Sequence, residues 1–321
     1  MISKRIPVAI MCGLVCMLIL QGCTSLLVGL SRSTERHKSG LSKNVVDVGD
    51  HQIAYLDGGK GEAVILLHGF GDNKDSWVKF ARRLTQTHRV IIPDLPGFGE
   101  STKKMSGSYD IATQVARLHE LAGKLGLAKF HIAGNSMGGL IAGVYAADHP
   151  GRILSLGLID TAGIPDREQS GLARELARGV NPLLVEKPED FDRLLNFMFV
   201  TPPAIAAPVK KYIAQLAVVN HDFNQKVFDA LTPAYQLEAR LKDIKARTLV
   251  IWGDTDRVFP VSSARVIQEG IEGAKVFIIK DCGHLPMVEK PDESAGIYLD
   301  FILSRQAAAA ATIYYPERQA A

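Results

Sequence analysis

Ser136 stands in Gly134-Asn135-Ser136-Met137-Gly138, a G-x-S-x-G pattern between an apolar run and a helical one. A strand-to-helix turn of this kind forces its serine into a sparsely allowed backbone conformation and lifts the hydroxyl above the sheet edge. The flanking glycines leave out Cβ atoms that would strike the neighbouring backbone. The helix that follows aims its free N–H groups at the hydroxyl. Such a serine is a candidate nucleophile, and a nucleophilic hydroxyl needs a base and the base an orienting acid. Of nine histidines, His284 is the candidate base: Asp281-Cys282-Gly283-His284-Leu285-Pro286 follows the last expected strand and reaches the serine's edge of the sheet. His37, His51, His88, His119, His131, His149 and His221 read as structural or solvated, and His68 as a holder of its own loop.

Three carboxylates compete for the acid. Asp256, in Trp252-Gly253-Asp254-Thr255-Asp256, ranks first. Asp254 ranks second, as a turn-capping group, and Asp160, at the end of Leu156-Gly157-Leu158-Ile159-Asp160, ranks third. Acyl transfer also requires donors for an oxyanion. The Met137 N–H follows the nucleophile, and Phe70, in Leu67-His68-Gly69-Phe70-Gly71-Asp72, supplies a second N–H from a glycine-rich loop.

Elements in alternating order must position these groups. Strands are expected at Val45–Val48, Gln52–Leu56, Ala63–Leu67, Arg89–Ile92, Phe130–Ala133, Ile153–Ile159, Thr248–Trp252 and Lys275–Ile279. Helices are expected at Trp77–Leu84, Tyr109–Leu125, Gly138–Asp148, Ser263–Glu269 and Asp292–Leu303. Alternation of this kind predicts an eight-stranded, mostly parallel sheet with helices on both faces. Gly163–Lys245 breaks the pattern, with helical periodicity and prolines only. It reads as a helical lid, residues 163–245, between core segments 45–162 and 246–305. Its apolar residues Phe191, Phe197, Met198 and Phe199 are candidates to line an acyl pocket, or equally to form the lid's own packing core.

The first 23 residues are of another kind. Lys4 and Arg5 precede the apolar run Ile6–Leu20, too short for a membrane span of about 20 residues. With the small residue after it, this describes a secretory signal. Leu20-Gln21-Gly22-Cys23 resembles a bacterial lipobox, which implies lipidation of Cys23, anchoring to a membrane and, with Thr24 next, outer-membrane sorting in the cell envelope. An uncleaved signal anchor, or secretion, is the alternative. Cys282 is then the one cysteine of the mature chain without lipid, so no disulfide is expected. Residues 24–44 read as a polar tether, and residues 306–321 as an alanine-rich tail. A net charge of +3, spread along the chain, argues against nucleic-acid binding.

Five stretches together carry a resemblance: His68-Gly69-Phe70-Gly71, Pro93-Asp94-Leu95-Pro96-Gly97-Phe98-Gly99-Glu100-Ser101, Gly134-Asn135-Ser136-Met137-Gly138-Gly139, Trp252-Gly253-Asp254-Thr255-Asp256 and Gly283-His284. In this order they resemble the α/β-hydrolase superfamily. With the lipoprotein-like leader and His284-Leu285-Pro286-Met287-Val288-Glu289, the chain is similar to family V bacterial lipases of Psychrobacter and Moraxella type, and to monoacylglycerol lipases. The likeness implies hydrolysis of carboxylic esters of acylglycerol type by Ser136, Asp256 and His284, with no metal or organic cofactor. A carbon–carbon bond hydrolase of ring-cleavage products is the rival within the fold, although Gly71-Asp72-Asn73 departs from its usual Gly-Pro-Gly loop. A non-catalytic surface binding protein is the rival outside enzymology.

Overall fold

The computed structural model describes residues 24–231 and 237–304. The signal sequence with Cys23, and the tail from residue 306, lie outside the described residues. Eight strands form one sheet: β1 (Leu41–Val48), β2 (His51–Gly58), β3 (Ala63–Leu67), β4 (Arg89–Pro93), β5 (Phe130–Asn135), β6 (Ile153–Ile159), β7 (Arg247–Gly253) and β8 (Lys275–Ile279). Their order is β1-β2-β4-β3-β5-β6-β7-β8. β2 pairs antiparallel with β1 and with β4, and the other pairs are parallel. All five residues of β3 and all six of β5 are buried, as expected for central strands covered on both faces.

Helix α1 spans residues 24–38. It is followed by α2 (Val78–Leu84), α3 (Ile111–Lys124), α4 (Met137–Asp148), α5 (Gly171–Ala177), α6 (Asp190–Met198), α7 (Ala207–Val219), α8 (His221–Leu231), α9 (Ser262–Gly270), α10 (Pro286–Glu289) and α11 (Pro291–Leu303). Apolar residues of α3, α4 and α9 share one core with the sheet, and those of α2 and α11 share the other. Between β6 and β7 the described residues hold helices and turns and no strand. No described helix is long and apolar enough to cross a membrane.

The stretch read as a polar tether is ordered. Residues 24–38 are helical, and the Arg36 guanidinium holds both oxygens of Asp75 at 2.6 and 2.7 Å. Arg82 donates to Glu35 at 2.9 Å, and Val28 is buried. These partners are remote in sequence, so local polarity alone suggested a loose segment. β1 likewise begins at Leu41 rather than Val45, because Leu41 to Val48 pairs residue for residue with Gly58 to His51.

The Pro93–Ser101 stretch encloses a buried charge. Asp94 accepts from the Lys74 ammonium at 2.6 Å and from the Lys74 and Glu100 N–H groups at 2.7 Å each. Gly99, at φ +53°, is needed because a Cβ there would lie 2.2 Å from the Asp94 carboxyl carbon. Lys74 is 1 % exposed and Asp94 fully buried. Removing one member of a buried pair strands the other. Asp94→Ala is therefore expected to cost about 3–5 kcal/mol in denaturant unfolding. Burial alone would raise Glu100, but the Lys74 and Lys43 ammoniums hold it down at about 2. Its contribution to stability is present above the usual carboxylate range and is lost as pH falls through about 2.

Candidate active site

Ser136 joins the end of β5 to the start of α4, at φ 56° and ψ −122°. A non-glycine residue there is strained, and the surrounding structure must hold it. It does so through backbone: the Ser136 N–H donates to Ile159 at 3.1 Å, and the Ser136 carbonyl accepts from Leu140 and Ala162 at 3.1 Å each. The flanking glycines are obligatory. A Cβ on Gly134 would lie 2.2 Å from the backbone of Gly138, and one on Gly138 would lie 2.4 Å from the Leu67 carbonyl oxygen.

His284 arrives on the loop after β8, 1 % exposed. Its Nδ1 lies 2.8 Å from Asp256 Oδ2. The other Asp256 oxygen accepts from the Val258 N–H at 2.7 Å and the Phe259 N–H at 3.3 Å. The Asp256 side chain is fully buried and fixed by three donors, and Phe259 lies edge-on to the imidazole at 5.5 Å. The Asn135 amide donates to the His284 carbonyl at 2.9 Å and to the Ile159 carbonyl at 3.2 Å. The residue before the serine thus ties the histidine loop to the serine's own strand. The His284 N–H donates to the Met198 carbonyl at 2.8 Å, and Glu289 accepts from Gly283 N–H at 2.8 Å and Thr201 N–H at 2.6 Å.

Asp254, ranked second as the acid, is a turn group: it accepts from the Thr255 hydroxyl at 2.8 Å and the Cys282 N–H at 3.3 Å. Asp160, ranked third, is closer to the site than its sequence context suggests. It is fully buried at the end of β6, with φ 42°. One oxygen accepts from the Gly253 N–H at 2.9 Å, and the other has no donor. Ligand atoms of Asp160, Asp256 and His284 lie within 4.8 Å of one another. Burial and the neighbouring Asp256 carboxylate push Asp160 well above the usual carboxylate range. Two buried carboxyls in contact do not both ionise. Both causes favour the protonated form of Asp160.

The His68–Asp72 loop lies against the serine, since a Cβ on Gly69 would be 3.1 Å from Ser136 Cβ. His68 Nε2 accepts from the Leu95 N–H at 2.9 Å, so its proton is on Nδ1, which donates to the Gly69 carbonyl at 2.8 Å. In a trans peptide the N–H points opposite to the carbonyl. His68 therefore turns the Phe70 N–H away from itself.

A cavity of about 560 Å³ opens beside this loop. Phe70, Leu285, Phe191, Met198 and Phe199 are among its lining residues, whereas Phe197 and Ser136 are not. Phe191 also packs with Val185 and Ala214 in a separate small apolar cluster. Phe191 thus belongs both to the cavity wall and to the packing of the helical segment. Cys282 is buried, which pushes its thiol far up and leaves it inert.

The chain is 38% identical to Lipase 1 of Psychrobacter immobilis over 297 residues, covering 87% of this chain and 92% of that protein. It is 32% identical to monoacylglycerol lipase abhd6-A of Xenopus laevis over 290 residues, covering 84% and 85%. Among solved structures, it superimposes with a TM-score of 0.86 on a membrane phospholipase A described as a bacterial virulence factor, at 44% identity, covering 92% of this chain and 99% of that one. Residues 62–291 match the model of the alpha/beta hydrolase fold, and with the parallel sheet and the strained serine turn already described, the chain belongs to that family.

Proposed function

We propose that Ser136, His284 and Asp256 hydrolyse acylglycerol-type carboxylic esters through an acyl-enzyme. The chain is a carboxylic-ester hydrolase, and the observation that carries this reading of its site is the 2.8 Å contact of His284 Nδ1 with a fully buried Asp256, on a loop tied to the strand that ends at Ser136. His284 Nε2 takes the Ser136 proton as the hydroxyl attacks the ester carbonyl. Asp256 keeps Nδ1 protonated and stabilises the imidazolium. The N–H groups of Met137 and Phe70 receive the oxyanion. His284 then protonates the leaving alcohol, and water attacks the acyl-Ser136 with His284 again as base. The segment from Gly163 to Lys245 is the lid, and its Phe191, Met198 and Phe199 supply apolar walls for an acyl chain. A lipidated Cys23 would hold the enzyme at the cell envelope, where such esters collect.

Labelling with a fluorophosphonate probe tests the nucleophile: the parent should label and Ser136→Ala should not. Equal labelling of both would end the reading. A series of p-nitrophenyl esters, monoacylglycerol and triacylglycerol tests the substrate class. Medium-chain esters should show higher kcat/KM than acetyl esters, and a flat series would remove the acyl pocket. A third expectation concerns His68. His68→Ala frees the Gly69–Phe70 peptide to rotate and should lower kcat by about 10- to 100-fold, less than outright removal of an oxyanion donor. An unchanged kcat in a folded variant would show that the peptide needs no such pin.

A further inference from the structure

The opposite edge of the sheet carries a second cluster of functional side chains. Glu62 immediately precedes β3, His88 immediately precedes β4, and His131 is the second residue of β5. The parallel register sets Ala63 beside Arg89 and Val64 beside His131, so the three residues lie side by side at the amino ends of three neighbouring strands. Ser136 follows the carboxyl end of β5, so the two clusters occupy opposite edges.

One ligand atom from each of Glu62, His88 and His131 lies within 4.8 Å of the other two. Glu62 Oε2 and His131 Nε2 are 3.5 Å apart. Tetrahedral zinc with bonds of about 2.0–2.1 Å separates its ligands by about 3.4 Å. The imidazoles meet edge to face, with centroids 5.7 Å apart. Each is oriented from behind by a hydroxyl on Nδ1: Ser155 Oγ at 2.7 Å from His131, and Thr87 Oγ1 at 2.8 Å from His88. Here the Glu62 carboxylate accepts from His131 Nε2–H; a bound ion would take that place, with the His131 proton moved to Nδ1 and donated to Ser155 Oγ, which is the support metal-binding histidines receive. Both rings are 4 % exposed, and the Glu62 side chain is about half exposed, giving a path from solvent.

Two imidazole nitrogens and one carboxylate suit zinc and related transition ions; calcium and magnesium prefer oxygen throughout.

We infer that Glu62, His88 and His131 form a divalent transition-metal site, of zinc type, that clips together the amino ends of β3, β4 and β5. Its ligands come from the amino ends of three neighbouring strands, remote from Ser136, so its role is stabilisation. The test is titration of chelator-stripped protein with zinc chloride, read by calorimetry and by thermal unfolding. One equivalent should bind saturably and raise Tm, with ester hydrolysis unchanged. Glu62→Gln and His88→Gln should each weaken binding at least tenfold and cancel the rise in Tm. Glu62 is half exposed, so its variant keeps the test open if His88→Gln fails to fold. Absence of a saturable equivalent overturns the proposal, as does unchanged affinity in the folded variants. Inhibition of ester hydrolysis in step with binding also overturns it, because that places the ion on His284 and Asp256.

Discussion

His284→Gln is expected to lower kcat by about four to six orders of magnitude while KM changes little. Glutamine keeps the backbone contacts that seat the loop: the N–H to Met198 and the carbonyl from Asn135. Its side chain offers Asp256 an amide donor but has no basic nitrogen with which to accept the Ser136 proton. Loss of rate with retained fold and substrate affinity is thus the signature of a missing proton acceptor. Single-turnover kinetics on a p-nitrophenyl ester, with circular dichroism as the folding control, would measure it. A variant within tenfold of the parent would mean that another group, or solvent, takes the proton.

The second large effect separates the two buried aspartates. Asp256→Asn should lower kcat by about 10³- to 10⁴-fold, because an amide can present its NH2 to His284 and favour the wrong tautomer. Asp160→Asn should leave kcat within about threefold. Its carbonyl can accept from Gly253 N–H as Asp160 does now, and its NH2 can replace the proton offered to Asp256. Stability should then change in a pH-dependent manner. The folded-state pKa of Asp160 lies above its ordinary 3.8, so between those values the unfolded chain releases a proton that the folded chain keeps. The parent's stability from this group is therefore full below pH ~4 and declines as pH rises through that window. Asparagine removes the decline. The variant's Tm advantage should grow from pH ~4 upward, by about 2–4 °C for each kcal/mol gained. A Tm difference independent of pH would show that Asp160 carries no retained proton.

Much of this arrangement could be read before any coordinates. Continuous apolar runs such as Ala63–Leu67 are unambiguous where both faces of a strand are buried, and the glycines around Ser136 report a close backbone approach. His284 stood out because its loop follows the final strand of an alternating series. Contacts of carboxyl groups with partners remote in sequence were not legible. Asp160 meets Asp256 only because β6 and β7 are neighbours in space, and Lys74 meets Asp94 across a loop. Helix α1 fell in the same gap, its seat being an arginine–aspartate pair with a distant partner. His88 and His131 each look like an ordinary strand-edge histidine until register brings them together with Glu62.

The carbonyl of Met198 ends one helix above the sheet and receives the backbone of His284, while Glu289 clasps Gly283 and Thr201 at once. Gly283 has no room for a side chain because that same carbonyl oxygen would sit 2.4 Å from its Cβ. The end of that helix and the His284 loop are therefore joined at one seam. If the helical segment is the lid and His284 the base, as proposed, lifting the lid at this point would also unseat the imidazole, so a bulky ester is expected to enter elsewhere.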